Sequence, residues 1–175
     1  MIGGNYRLGE IECAIGLEQL KKLPKLVKSR QAAAARLTQG LKGLSGLITP
    51  HVSKGNTHVY YIYPLVIDPS ILNIEKSKII KALAAEGVPG LMHQYLNIHL
   101  LPMYQEKICY GKEGFPWNLG RENISYKKGI CPKAERLNDD TFFGLELCMY
   151  EFNSNEVDQV ISAFHKVWEN LADLK

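Results

Sequence analysis

Apolar positions recur along this chain with two periods, and they change character at a few sharp points. Residues 8–22 predict a helix whose first turns are apolar on nearly every side: Leu8, Ile11, Cys13, Ala14, Ile15 and Leu17, with Gly9 and Gly16 between them. A surface helix carries one apolar stripe, so an all-round apolar helix is expected to be buried, in a chain this short against something outside it. Pro24 punctuates it. A second helix is expected over 25–43, with Leu26, Arg30, Ala33, Ala34, Leu37, Leu41 and Leu44 on one face. The run Ala32–Ala35 favours helix, and Gly43, Ser45 and Gly46 end it.

Residues 58–67 are rich in β-branched and aromatic side chains and predict a strand covered on both faces. Pro64 places that strand at an edge or a bulge. Residues 74–86 predict a helix with Ile79, Ile80, Leu83 and Ala84 inward and Gly87 as its stop. A further strand is expected over 88–95. Residues 99–130, with Tyr104, Gly111, Gly114, Pro116, Trp117 and Gly120, predict a long irregular excursion of the kind that often carries function. Residues 142–148 predict a strand in which Phe143, Leu145 and Leu147 alternate. The last helix opens on a capping box of Asn153 and Glu156 and shows one stripe: Val157, Val160, Ile161, Phe164, Val167, Trp168 and Leu171. Three or so strands with helices on one face make an α+β layer.

Length and composition narrow the classes. The chain has 175 residues, enough for one domain or a large piece of a two-domain protein. Hydrophobic residues make up 46%, which is enough for a core. A net charge of +3 is too small to point to nucleic acid or a membrane surface. No apolar run approaches the roughly 20 residues that span a bilayer, and the first residues carry no signal-peptide pattern. Cys13, Cys109, Cys131 and Cys148 show no C-x-x-C pair or metal-ligand spacing, so they are expected to be reduced thiols of a cytoplasmic protein.

Candidate chemistry is concentrated in three places. Gly3-Gly4-Asn5-Tyr6-Arg7 precedes the first helix. Helix N-termini favour anions such as phosphate, and asparagine and arginine add donors. The same pattern equally suits plain capping by Asn5. His93, Tyr95, Asn97 and His99 alternate and would line one wall of a strand, either facing a pocket or facing water. A zinc site there would need ligands that the neighbourhood does not supply. Cys131-Pro132-Lys133-Ala134-Glu135-Arg136 has no base beside the thiol and reads as a structural turn into a short helix. Phe115 and Trp117 either stack on a flat ring or form the excursion's own small core.

The run from Gly4 to Leu20, Gly-Asn-Tyr-Arg-Leu-Gly-Glu-Ile-Glu-Cys-Ala-Ile-Gly-Leu-Glu-Gln-Leu, resembles the signature that opens the C-terminal half of sugar aminotransferases of the DegT–StrS group. It differs at Leu8, where methionine is usual, and at Cys13, where alanine is usual. Tyr95-Leu96-Asn97-Ile98-His99-Leu100 and Cys131-Pro132-Lys133-Ala134-Glu135-Arg136-Leu137 are similar to two later segments of that group. Leu145-Glu146-Leu147-Cys148 departs from an L-P-L-H-like segment, and residues 107–130 look longer than the common form.

The resemblance implies the small α+β domain of a fold-type-I aminotransferase dependent on pyridoxal phosphate. A small, mainly antiparallel sheet would carry helices on one face behind a long N-terminal helix. Residues 1–45 would form a helical interdomain and dimer segment, and 46–175 the small domain. The Schiff-base lysine is expected in a large N-terminal domain that no part of this chain resembles, so no catalytic residue is assigned here. The resemblance implies that Asn5 reaches the cofactor phosphate of a partner subunit. Tyr6, Arg7 and His99 would border the substrate, and no metal is expected. The implied activity is amino transfer from glutamate or a similar donor to a nucleotide-linked keto-sugar by a homodimer. The chain by itself would hold no cofactor and would be inactive. A non-catalytic dimerisation or regulatory module of the same fold is the competing expectation, and a free nucleotide-binding protein ranks last.

Overall fold

One helix stands where two were expected. The computed structural model describes residue 4, residues 6–120 and residues 124–174. In it, α1 runs unbroken over Glu10–Gly40 with Pro24 inside. A proline in a helix interior deletes one backbone hydrogen bond and costs about 3 kcal/mol. Here strong helix formers flank it on both sides, and the far half is anchored: Ala33, Ala34, Leu37 and Leu41 are buried in the core. The helix also begins later than expected, with Gly9 rather than Asn5 at its N-cap.

The first half of α1 is apolar, as its sequence indicates, but among the described residues nothing covers it. Ile11 is 74% exposed, Ile15 58% and Leu20 61%.

The sheet has four strands in the order β1-β2-β4-β3, every neighbour antiparallel. They are β1 (Leu47–Ile48), β2 (Tyr63–Ile67), β3 (Leu91–Met92) and β4 (Phe142–Leu145). The strand expected over 58–67 is confined to its second half. Tyr60 takes a left-handed φ of 50°, and its N–H donates to His58 Nδ1 at 2.8 Å, which turns the preceding backbone away from the sheet. The strand expected over 88–95 shrinks to two residues for a similar reason, since Gly90 lies at φ 64°. Pro64 belongs to an interior strand, yet it stands locally at an edge. Asp68 N–H donates to Gly46 C=O, and alternate residues of a strand face the same neighbour, so Pro64 faces beyond Ile48, where β1 has ended.

Between the strands lie α2 (Pro69–Leu72), α3 (Lys76–Ala85), α4 (Pro102–Gln105) and α5 (Pro132–Arg136), with α6 (Ser154–Glu169) last. Residues 99–120 and 124–130 are irregular apart from short helical segments, as expected. Tyr63, Leu65, Ile67, Phe143 and Leu145 are buried from the sheet, with Ile79, Ile80 and Leu83 from α3 and Val157, Val160, Phe164 and Val167 from α6. Phe143 and Phe164 stack with ring centroids 6.4 Å apart.

The capping box forms: Asn153 Oδ1 accepts from the N–H groups of Asn155 and Glu156, and Glu156 accepts from Asn153 N–H at 2.7 Å. Helices α1 and α6 are tied by Arg36–Asp158 and by His165 Nε2 donating to Gly40 C=O at 2.8 Å. They approach so closely that a Cβ on Gly40 would collide with Ile161.

Candidate functional site

The arm that leads into α1 is extended and open to solvent. Tyr6 is 95% exposed, and Arg7, Leu8 and Gly9 are exposed beside it. Asn5, the residue assigned to a cofactor phosphate, lies outside the described residues. Because the N-cap is Gly9, with no side-chain cap, Asn5 is four positions upstream of the helix terminus. The helix therefore starts at Glu10 rather than directly after the Gly-Gly-Asn run. Glu10 and Glu12 occupy the first turn, where a negative charge satisfies the helix dipole and opposes a bound anion.

The four alternating residues do not share a wall. Regular strand structure ends at Met92, and with it the two-residue period. His93 lines a cavity of about 1060 Å³ with Lys76, Arg136, Asp139 and Thr141. Tyr95 lies on the surface, and its phenol is pushed up by partial burial and by its bond to Tyr61. Asn97 Nδ2 is buried with no hydrogen-bond partner among the described residues. His99 turns inward.

His99 and Glu135 form a buried hydrogen-bonded pair. Their side chains are 10% and 8% exposed, and Nε2 donates to Oε1 at 2.9 Å. The same carboxylate accepts the Gly129 N–H on both oxygens at 2.8 Å and the Cys131 N–H at 3.2 Å. Burial pushes the Glu135 carboxyl up, but the Gly129, Cys131 and His99 donors together outweigh it and hold it below the usual range. Gln105, on α4, donates to the carbonyls of His99 and Tyr126, each at 2.6 Å.

Trp117 belongs to a small aromatic cluster within the excursion, while Phe115 is exposed. The indole N–H of Trp117 donates to the Tyr126 hydroxyl at 3.0 Å, and Tyr104 packs against both rings. Phe115 lies against Tyr110. Cys131 begins α5 as expected, and all four cysteines are free thiols.

Sequence reading did not single out Lys76, which lies in the helix expected over 74–86. Its ammonium is buried and donates to Asn138 C=O at 2.5 Å. Burial lowers its pKa, against the pull of Asp139 and Asp140. Glu135 was visible only as one letter of a motif, with nothing in the spacing to pair it with His99. No group of three or more His, Cys, Asp or Glu side chains among the described residues could hold a metal ion. No helix among them is long and apolar enough to cross a membrane.

A small antiparallel sheet packed against helices, behind one long helix, gives the α+β fold shared with the fold-type-I sugar aminotransferases on which the chain superposes. The chain belongs to the DegT/DnrJ/EryC1/StrS aminotransferase family, whose model matches residues 1–141. A dTDP-3-amino-3,4,6-trideoxy-alpha-D-glucose transaminase of Micromonospora megalomicea subsp. nigra is 31% identical over 173 residues, covering 94% of this chain and 38% of the relative. The structure of the aminotransferase TlmJ from Streptoalloteichus hindustanus superposes with a TM-score of 0.63 at 26% identity, over 94% of this chain and 37% of that one. Spr1654 from Streptococcus pneumoniae, solved in its PLP form, shares the fold with a TM-score of 0.65 at 22% identity, over 94% of this chain and 37% of that one. The chain spans about a third of the length of the curated relatives it matches.

Proposed function

We propose that this chain is the small-domain part of a pyridoxal-phosphate-dependent aminotransferase that carries an amino group from glutamate, or a similar donor, to a nucleotide-linked keto-sugar. The enzyme works in the cytoplasm as a homodimer and supplies cell-surface polysaccharide or secondary-metabolite biosynthesis. Family membership supports the reaction class. The observation that carries the role of this chain is the division of α1: one half is sealed in the core, and the other presents Ile11, Ile15 and Leu20 to solvent. Exposed apolar surface of this extent marks an interface.

In this reading residues 1–45 are the interdomain and dimer segment, and 46–175 the small domain. The part of the family's length that this chain does not match supplies the lysine that holds the cofactor. When bound, the cofactor supplies the electron sink for amino transfer. Asn5 donates a hydrogen bond to its phosphate from the arm of a neighbouring subunit. Tyr6 and Arg7 border the substrate, and His99 stands on the sugar side, at the start of the excursion. The donor leaves as its keto acid and the keto-sugar as an amino-sugar. This chain's residues orient and enclose; they do not supply the electron sink.

The test is Asn5→Ala in the full-length protein, read as cofactor absorbance retained after dialysis. Weaker retention is expected. Unchanged retention with dimerisation intact supports a non-catalytic dimerisation module instead.

A further inference from the structure

The excursion 99–130 departs from the sheet and returns to it at a single neck, and one carboxylate holds both sides of that neck. Glu135, on α5, accepts from His99 at the outgoing side and from the Gly129 and Cys131 N–H groups at the returning side. Four donor–acceptor contacts converge on one buried carboxylate, and charge-assisted bonds of this kind are the strong ones. A second tie lies just beyond: Gln105 bridges the carbonyls of His99 and Tyr126. Past the neck, Tyr104, Trp117 and Tyr126 hold one another edge to face and by hydrogen bond. The described part of the excursion therefore carries its own aromatic cluster and is joined to the domain through buried Glu135 and, at the surface, through the Lys128–Asp139 ion pair. The His99 ring is spent on this joint, and little of it remains to touch a ligand.

We propose that Glu135, acting through His99, is the positioning residue that fixes the excursion as the wall of the sugar side. This rests on the aminotransferase reading above. His99 thereby affects the sugar through the wall it orients.

The experiment uses the full-length protein and the variants His99→Ala, His99→Gln and Glu135→Gln. Hydrogen exchange without substrate is followed in peptides covering 99–105 and 126–131, with α6 as the internal reference. His99→Ala is expected to speed exchange at the neck by about tenfold, the scale of one charge-assisted bond, and to leave α6 unchanged. His99→Gln keeps a donor and restores most of the protection, and Glu135→Gln falls between. Kinetics use whichever of a panel of dTDP-, UDP- and GDP-linked 4-keto-sugars the wild type aminates. There the expected change is mainly in KM, again about tenfold, and much smaller in kcat.

Unchanged neck exchange in all three variants overturns the proposal. Faster exchange with KM unaltered overturns the positioning role and leaves a purely structural joint. A wild type that aminates none of the panel overturns the underlying aminotransferase reading, while the exchange data still decide whether Glu135 holds the neck.

Discussion

The Tyr63 hydroxyl donates to Thr38 Oγ1 at 2.8 Å, and Thr38 donates on to the Ala34 carbonyl at 2.9 Å, so one relay joins the sheet to α1. Burial is the main influence on the phenol and pushes it up to about 12. Tyr63→Phe removes the relay's first donor and is expected to cost about 1 kcal/mol in denaturant unfolding. The raised value also sets a direction with pH. The folded chain holds this proton more tightly than the unfolded chain does. Its contribution is therefore whole below the ordinary tyrosine value near 10 and is lost as pH rises through about 12.

Glu135 behaves oppositely. Its depressed carboxyl contributes fully above the ordinary glutamate range, and the contribution is lost as pH falls through the lowered folded value. Acid titration is therefore expected to release the Gly129 and Cys131 amides before the amides of α6, and NMR-detected exchange would show the order.

Elements set by neighbours in sequence were legible, and those set by distant partners were not. The capping box needs only Asn153 and Glu156, three residues apart, and it forms as read. Asn153→Ala should lower unfolding stability by about 1 kcal/mol. The stripe on α6 likewise predicted its buried face, and Phe164→Ala should cost about 3–5 kcal/mol because it removes a ring stacked on Phe143. Pro24 misled because a local rule says that proline ends helices, while the far half of α1 is held by the core. Strands β1 and β3 have two residues each, too few for any period, and exist through the partners that pair with them. The His99–Glu135 joint spans 36 residues of sequence, and the cavity beside Lys76 gathers side chains from α3, α5 and the segment that follows α5. Neither has a signature that a linear pattern can display.

At the scale of the whole molecule, two populations of apolar residue are kept apart: one forms the core under the sheet, the other lies along the outer half of α1. Replacing both Ile11 and Ile15 by Asp should leave the fold of this chain within about 0.5 kcal/mol, since both side chains are already solvated. The same double change should abolish self-association of the full-length protein, and sedimentation velocity would report it. Because α1 is continuous through Pro24, it acts as a shaft, clamped by the domain at one end and, in the dimer proposed above, offered to a neighbour at the other. A shaft has a phase as well as a length. One alanine inserted at 25–29 would turn the outer end by about 100° and advance it by about 1.5 Å. The domain would fold as before while presenting its neighbour with the wrong side, a fault of angular alignment that no single contact in the chain would betray.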